Sequence, residues 1–229
     1  MQRGETAGAA MAALTETEIE RLMADMFTHV PVSAEARSMV EGLLGGADRH
    51  YHGLAHVALL WQRHLEYADH AGLTAEIPMR LIASAIAYHD CIYDPRRRDN
   101  EARSAALWRE HAIAAGGLAT ETEWVGATIQ ATADHLGYEP RQANSEEARL
   151  WMLDLDLTTL GESPGDFARN TKLLRAEYAH LAESDWVAGR AEFLASLMGR
   201  PSLFRAPVLA RVFEAAARRN IEAALRELG

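Results

Sequence analysis

Apolar residues recur at intervals of three and four along most of the chain, and no stretch alternates apolar with polar residues in the manner of a strand. The pattern predicts an all-α protein. Thr15-Glu-Thr-Glu-Ile-Glu opens the first helix, with Thr15 as N-cap, acidic residues in the first turn, and Ile19, Leu22, Met23 and Met26 on one stripe. Ser33 caps the next, which stops at Gly45-Gly46. A third runs from about Tyr51 to His70, with Leu54, Val57, Ala58, Trp61 and Leu65 along one side. Pro78 stands near the start of a helix ending at His89-Asp90 that is apolar nearly all round and is therefore read as central. Pro95-Arg-Arg-Arg-Asp99 breaks it into a loop. Further helices are predicted at 100–115, 120–135, 145–157, 164–184, 185–198 and 207–228.

Residues 1–14 read as a frayed N-terminus and residues 15–229 as one domain, long enough to bury a sizeable core. The 23 basic and 33 acidic residues leave a net charge of −10, which argues against a general nucleic-acid binder. A small phosphorylated substrate stays open, because a bound metal supplies local positive charge. The single cysteine, Cys91, excludes an internal disulfide and fits a reducing compartment. No signal peptide and no run of about 20 apolar residues is visible, so the expectation is a cytoplasmic protein without a membrane span. Nothing in the sequence specifies an oligomeric state.

One ordered set of residues carries chemistry. His52 and His56 stand four apart, His89-Asp90 ends the central helix, and Asp154 and Asp156 sit in the apolar run Trp151-Met-Leu-Asp-Leu-Asp-Leu157. Imidazole nitrogens and carboxylate oxygens are ligands for borderline and hard divalent metals. Read as part of one helix, His52 and His56 lie on one face, a turn apart. A carboxylate at the end of an apolar helix is costly to bury unpaired, and no Lys or Arg occurs between Arg80 and Arg96. A metal would meet that cost, as would a basic partner from elsewhere in the chain. Spacing of two turns Asp154 and Asp156 to different faces, so one can reach a metal while the other caps or pairs. The residues alone leave open which His and which Asp would ligate. His64, His70, His111 and His180 read as ordinary core or surface histidines.

The order His…His-Asp…Asp resembles the signature of the HD-domain superfamily of metal-dependent phosphohydrolases, over roughly Arg49 to Leu160. The chain is more closely similar to a bacterial group of predicted metal-dependent HD phosphohydrolases. The shared pattern is Tyr-His-x-x-x-His at 51–56, His-Asp-x-x-Tyr-Asp at 89–94, Asn-Glu-x-x-Ser-Ala at 100–105 and Asp-x-Asp-Leu at 154–157. The resemblance implies a single-domain helical HD-type bundle around a buried metal site. It implies hydrolysis of a phosphoester of a nucleotide or other small phosphorylated metabolite. One divalent ion (Mn, Fe, Co, Ni, Zn or Mg) would be held by His56, His89, Asp90 and Asp156, with a second ion left open. Similarity to cyclic-nucleotide phosphodiesterases makes His52 the general acid, although Gly53 stands where those enzymes carry Asn. Asp90 then counts among the catalytic residues as well as the ligands. Some members of the wider superfamily are di-iron oxygenases, which need further histidines. A non-catalytic metal- or nucleotide-binding regulator is a third reading.

Other residues are candidates for the pocket or its support. His135 ends a predicted helix, and Asn100, Glu101 and Ser104 open another, where plain capping is the competing account. Lys172, Arg175 and Tyr178 share a face that could hold a phosphate, against the plainer reading of a solvated surface. Arg96-Arg-Arg98 reads as a solvated loop. Gly161-Glu-Ser-Pro-Gly165 matches the nucleophile elbow of α/β-hydrolases, but no strand precedes it and Pro164 has no N–H for an oxyanion. Ser163-Pro164 is instead a helix start.

Overall fold

The computed structural model describes residues 14–140 and 146–229, and among these the chain is helices joined by turns, with no strand. The frayed segment expected at the N-terminus and the helix start at Ser145 lie outside the described residues, Leu14 excepted. The ten α-helices described are α1 Glu16–Phe27, α2 Ala34–Leu44, α3 Leu54–Tyr67, α4 Glu76–Tyr88, α5 Asn100–Ala114, α6 Ala119–Ala131, α7 Glu146–Leu157, α8 Pro164–Glu177, α9 Glu183–Met198 and α10 Pro207–Leu228. None is long and apolar enough to cross a membrane.

The caps follow from local chemistry. Thr15 accepts from the Glu18 N–H while the Glu18 side chain accepts from the Thr15 N–H, a reciprocal box. Ser33 caps α2, and Ser163 caps α8 with Pro164 in its first turn, so the Gly-x-Ser-x-Gly string is a helix start. The apolar α4 lies at the centre: every residue from Leu81 to Tyr88 is buried. It packs against α1, α3, α6 and α7, with Trp61, Trp108 and Trp151 filling the space between helices. Each such side chain contributes on the order of 2–3 kcal/mol through burial, before the entropy of ordering it. The α5–α6 pair covers one side. The C-terminal α9 and α10 close another, with α10 lying along the turn at 158–161.

Several boundaries differ from the expected ones, and those of α3, α8 and α9 that follow bear on the site. α3 begins at Leu54, not Tyr51, so His52 lies in the preceding turn and the two histidines are not one helical turn apart. Gly53 is the hinge between them: a Cβ there would meet the Leu44 carbonyl oxygen at 3.0 Å and the Arg49 Cβ at 3.3 Å. The buried face of α3 also differs from the expected stripe: His56, Leu60 and His64 are buried while Leu65 is 42% exposed. α8 stops at Glu177 and α9 starts at Glu183, so Tyr178–Ala182 is a turn rather than helix.

Candidate metal centre

Three elements deliver the cluster. His56 comes from the first turn of α3, His89 caps the C-terminus of α4 with Asp90 next to it, and Asp156 comes from the last turn of α7. One ligand atom from each of His56, His89 and Asp156 can be chosen so that all lie within 4.8 Å of one another. Atoms around one ion at about 2.1 Å are at most about 4.2 Å apart, so small side-chain movements close the set. His56 Nε2 stands 3.0 Å from Asp156 Oδ1 and 3.9 Å from Asp90 Oδ2. His89 Nε2 stands 2.9 Å from Asp90 Oδ2 and 3.8 Å from Asp156 Oδ1.

The donor set suits a cation. His89 Nδ1 donates to the Ile86 carbonyl at 2.9 Å, which turns the buried Nε2 toward the carboxylates of Asp90 and Asp156, where a cation displacing its proton would find it. That is how ligating histidines are usually oriented. Among the described residues no Lys or Arg pairs with the Asp90 carboxylate, which has only imidazoles beside it. The nearest guanidinium, Arg49, instead donates to backbone carbonyls: His52 and Asp90 through Nη1, Cys91 through Nη2. Arg49 thereby stitches the His52 turn to the His89-Asp90 turn, a role that sequence reasoning missed. Burial would lower the pKa of His89, but the charges of Asp90 and Asp156 raise it to about 9. Burial likewise opposes ionisation of Asp90 and Asp156, yet the imidazoles around them hold both carboxyls below the usual range. The cluster draws positive charge from its own histidines, a demand a divalent ion would meet.

His52 and Asp154 separate from the cluster by different means. His52 Nδ1 faces Glu177 Oε2 at 2.6 Å, and its ring stacks on Tyr93 at 4.2 Å. Glu177 Oε1 accepts the backbone N–H groups of His50, Tyr51 and His52. The carboxylate thus clamps the turn and the imidazole together. Burial alone would lower the His52 pKa; the charge of Asp90 and the bond to Glu177 outweigh it and raise it. Asp154 is fully buried and accepts the N–H groups of Arg205 and Ala206 at 2.5 and 2.6 Å, the entry to α10. It pins the two residues that lead into that helix and does not face the cluster, whereas Asp156 does.

The cluster lies at the floor of a cleft with two adjoining lobes of about 440 and 280 Å³. Both lobes are lined by His52, Asp156, His135 and Arg190. His135 Nε2 stands 2.6 Å from Asp156 Oδ2, so it joins the cluster's edge. Glu101 and Tyr178 line the larger lobe, as does Asp90. Asn100 and Ser104 do not line it; they brace the chain beside it. Asn100 closes the loop at 94–100 through both the N–H and the carbonyl of Asp94, and Ser104 bonds the backbone of Ile92. Lys172 and Arg175 need correcting as phosphate contacts. Lys172 is exposed on the far side of α8, and Arg175 is spent on Glu183 and on the carbonyls of Tyr178 and Leu181 in the α8–α9 turn. Arg96, Arg97 and Arg98 are exposed, with Arg97 paired to Asp99.

Glu177 and Arg190 are further site residues the sequence reading did not select. The signal was present in both cases: Phe167, Asn170, Leu174 and Glu177 fall on one stripe of α8, and Trp186, Arg190, Leu194 and Leu197 on one stripe of α9. A charged residue in a core-facing row asks for a partner or a pocket. No protein-family model, no curated protein and no solved structure matches the chain.

Proposed function

We propose that the protein is a metal-dependent phosphohydrolase of the HD type, acting on a phosphoester of a small metabolite. The observation that carries the reading is the convergence of His56, His89 and Asp156 at the cleft with Asp90 beside them, His89 Nε2 being turned toward the carboxylates and no Lys or Arg pairing with Asp90 among the described residues. Those four residues would hold one divalent ion; mixed N/O ligation suits Mn, Fe, Co, Ni, Zn or Mg. When bound, such an ion lowers the pKa of a bound water and polarises a phosphoryl group. His52 stands at the cleft wall with Nδ1 bonded to Glu177, which leaves Nε2 to carry a proton toward a leaving-group oxygen. Asp90, facing the same cleft, keeps His52 inclined to hold that proton. The test is elemental analysis of protein purified without chelator, beside His89→Ala and Asp90→Asn, together with a phosphatase and phosphodiesterase screen under Mn, Co, Ni and Mg. Metal bound equally by all three proteins removes the assignment. Metal binding without turnover under every condition transfers the chain to the regulators.

One observation favours a second reading. His135 on Asp156 adds a third imidazole, and Asp156 has one oxygen toward His56 and the other toward His135. A carboxylate so placed suits a two-metal site, as in the di-iron oxygenases of the same superfamily. Iron-dependent oxygen uptake with two iron atoms per chain separates that reading from hydrolysis.

A further inference from the structure

Arg190 stands out among the buried and half-buried arginines. Arg63 bonds Glu162 and Thr158, Arg149 bonds Glu146, Tyr138 and Thr128, and Arg205 bonds the carbonyls of Tyr138 and His135. Arg190 makes no hydrogen bond and no ion pair among the described residues. Its Nε is buried without a partner, and its one contact of note is the Phe193 ring, 5.5 Å from the guanidinium. A guanidinium stays charged at any ordinary pH, and burying even one of its N–H groups unpaired is costly. A cost of that kind marks a site built for something that arrives.

The surroundings say what arrives. Arg190 lines both lobes of the cleft, and so do His52 and Asp156, so the guanidinium and the metal cluster border one space. The fork of a guanidinium matches two oxygens of a phosphate, and a tetrahedral phosphate has a third oxygen left to face the cluster. A flat carboxylate has only two, so it cannot fill the guanidinium fork and still keep an oxygen for the cluster. The larger lobe is walled by the rings of Tyr93, Tyr178, Trp186 and Phe193, and Tyr178 and Trp186 lie 5.6 Å apart. Such walls take a flat, apolar body. Asp90, Glu101, Asp156 and Asp185 also line this lobe, with Arg190 as its single guanidinium, so an anion needs both Arg190 and a bound cation to enter.

Resting on the phosphohydrolase reading, we infer that Arg190 is the anion-recognition residue of the cleft, and that the ligand is an organic phosphomonoester with a flat apolar body held against Trp186 and its neighbours. Phenylphosphonate, which has no ester bond to hydrolyse, is the probe. It is titrated calorimetrically into Mn²⁺-loaded wild type, Arg190→Gln, Arg190→Lys and Trp186→Leu, beside inorganic phosphate and benzoate. Metal content and circular dichroism are read on the same samples. Wild type should bind phenylphosphonate more tightly than either phosphate or benzoate. Arg190→Gln should weaken both phosphorus probes at least roughly tenfold with metal content unchanged, the loss expected of a charged hydrogen-bonding group. Arg190→Lys should recover part of that loss, and it decides the matter should the Gln variant not fold. Trp186→Leu should abolish the preference for phenylphosphonate over phosphate. Unchanged affinity in the folded Arg190 variants at full metal occupancy overturns the inference, and benzoate binding as tightly as phenylphosphonate overturns the ligand class. Absence of metal from every sample overturns the metalloenzyme reading instead; the Arg190 dependence of phosphonate binding then decides this inference alone.

Discussion

Replacing Glu177 tests how the turn that carries His52 is built. One carboxylate oxygen accepts three backbone N–H groups, from His50, Tyr51 and His52, at 3.0, 2.7 and 2.9 Å, and the other faces His52 Nδ1 at 2.6 Å. Burial disfavours the Glu177 charge, but the His52 bond and the backbone donors hold its pKa below the usual value. Glu177→Ala leaves three donors without an acceptor. Each buried orphan costs about 1–3 kcal/mol, so the sum is about 3 kcal/mol at the low end, where water reaches the exposed edge of the turn. For a domain of this size that is a fall in Tm of roughly 6–12 °C. Glu177→Gln behaves differently. Its amide oxygen can still take the three N–H groups, so Tm should fall little. Its NH2, however, faces Nδ1 as a donor, which makes Nδ1 an acceptor and moves the imidazole proton to Nε2. The His52 pKa should fall, since the bonded charge that raised it is gone. Turnover on phosphoesters should drop into the range of roughly 10²–10⁴-fold typical of acid–base groups. Thermal melts followed by circular dichroism and histidine side-chain NMR read both effects. An alanine variant melting within about 1 °C of wild type, or a Gln variant with an unaltered His52 titration, would refute the clamp.

Further outcomes follow from the same geometry. Asp156→Asn should lose bound metal while Asp154→Asn keeps it, because only Asp156 faces the cluster; equal retention by both sinks the distinction. His52→Ala should keep its metal and lose turnover, and a matching fall in metal content would make His52 a ligand. Burial raises the Asp154 pKa to about 6 against two backbone N–H bonds that lower it, so the folded chain keeps a proton there that the unfolded chain releases near pH 4. Stability from that group is complete below about pH 4 and lost as pH rises through about 6. Urea unfolding should therefore show wild type losing ground to Asp154→Asn across this window, and a constant difference contradicts the account. Cys91 is fully buried and its thiol is pushed up to about 12, mainly by burial. Iodoacetamide should modify it slowly in the native state and quickly in urea, and rapid native labelling would show that the His89-Asp90 turn opens.

How much of this was legible in the sequence depended on how local each cause was. The caps at Thr15, Ser33 and Ser163 and the burial of α4 needed only neighbouring residues, and the pattern showed them. The convergence of His56, His89 and Asp156 was legible as an ordered set of ligand types. The location of His52 was not, because periodicity runs through Gly53 while the close approach of Leu44 and Arg49 ends the helix there. The choice between Asp154 and Asp156 turned on the segment leading into α10, which docks the backbone N–H groups of Arg205 and Ala206 on Asp154 from about 50 residues away. The Lys172–Arg175 face was conspicuous for its charge, but the row of α8 that meets the cleft and the His52 turn was the one carrying Leu174 and Glu177. A charge among apolar positions was the better signal than a charge among charges.

The Glu177 clamp also sets an order of assembly. It joins residues 125–127 apart in the chain, and such a closure cannot form until the distant partner exists. At synthesis rates of about 5–20 residues per second, that partner trails the His52 turn by roughly 6–25 s. Every residue of the cluster has left the ribosomal peptidyl-transferase site once Asp156 is made, some twenty residues before Glu177. A nascent chain therefore holds all four proposed ligands before the carboxylate that moors His52 exists. In the proposed reading, the residues that would hold a cation are synthesised before the one that would aim a proton.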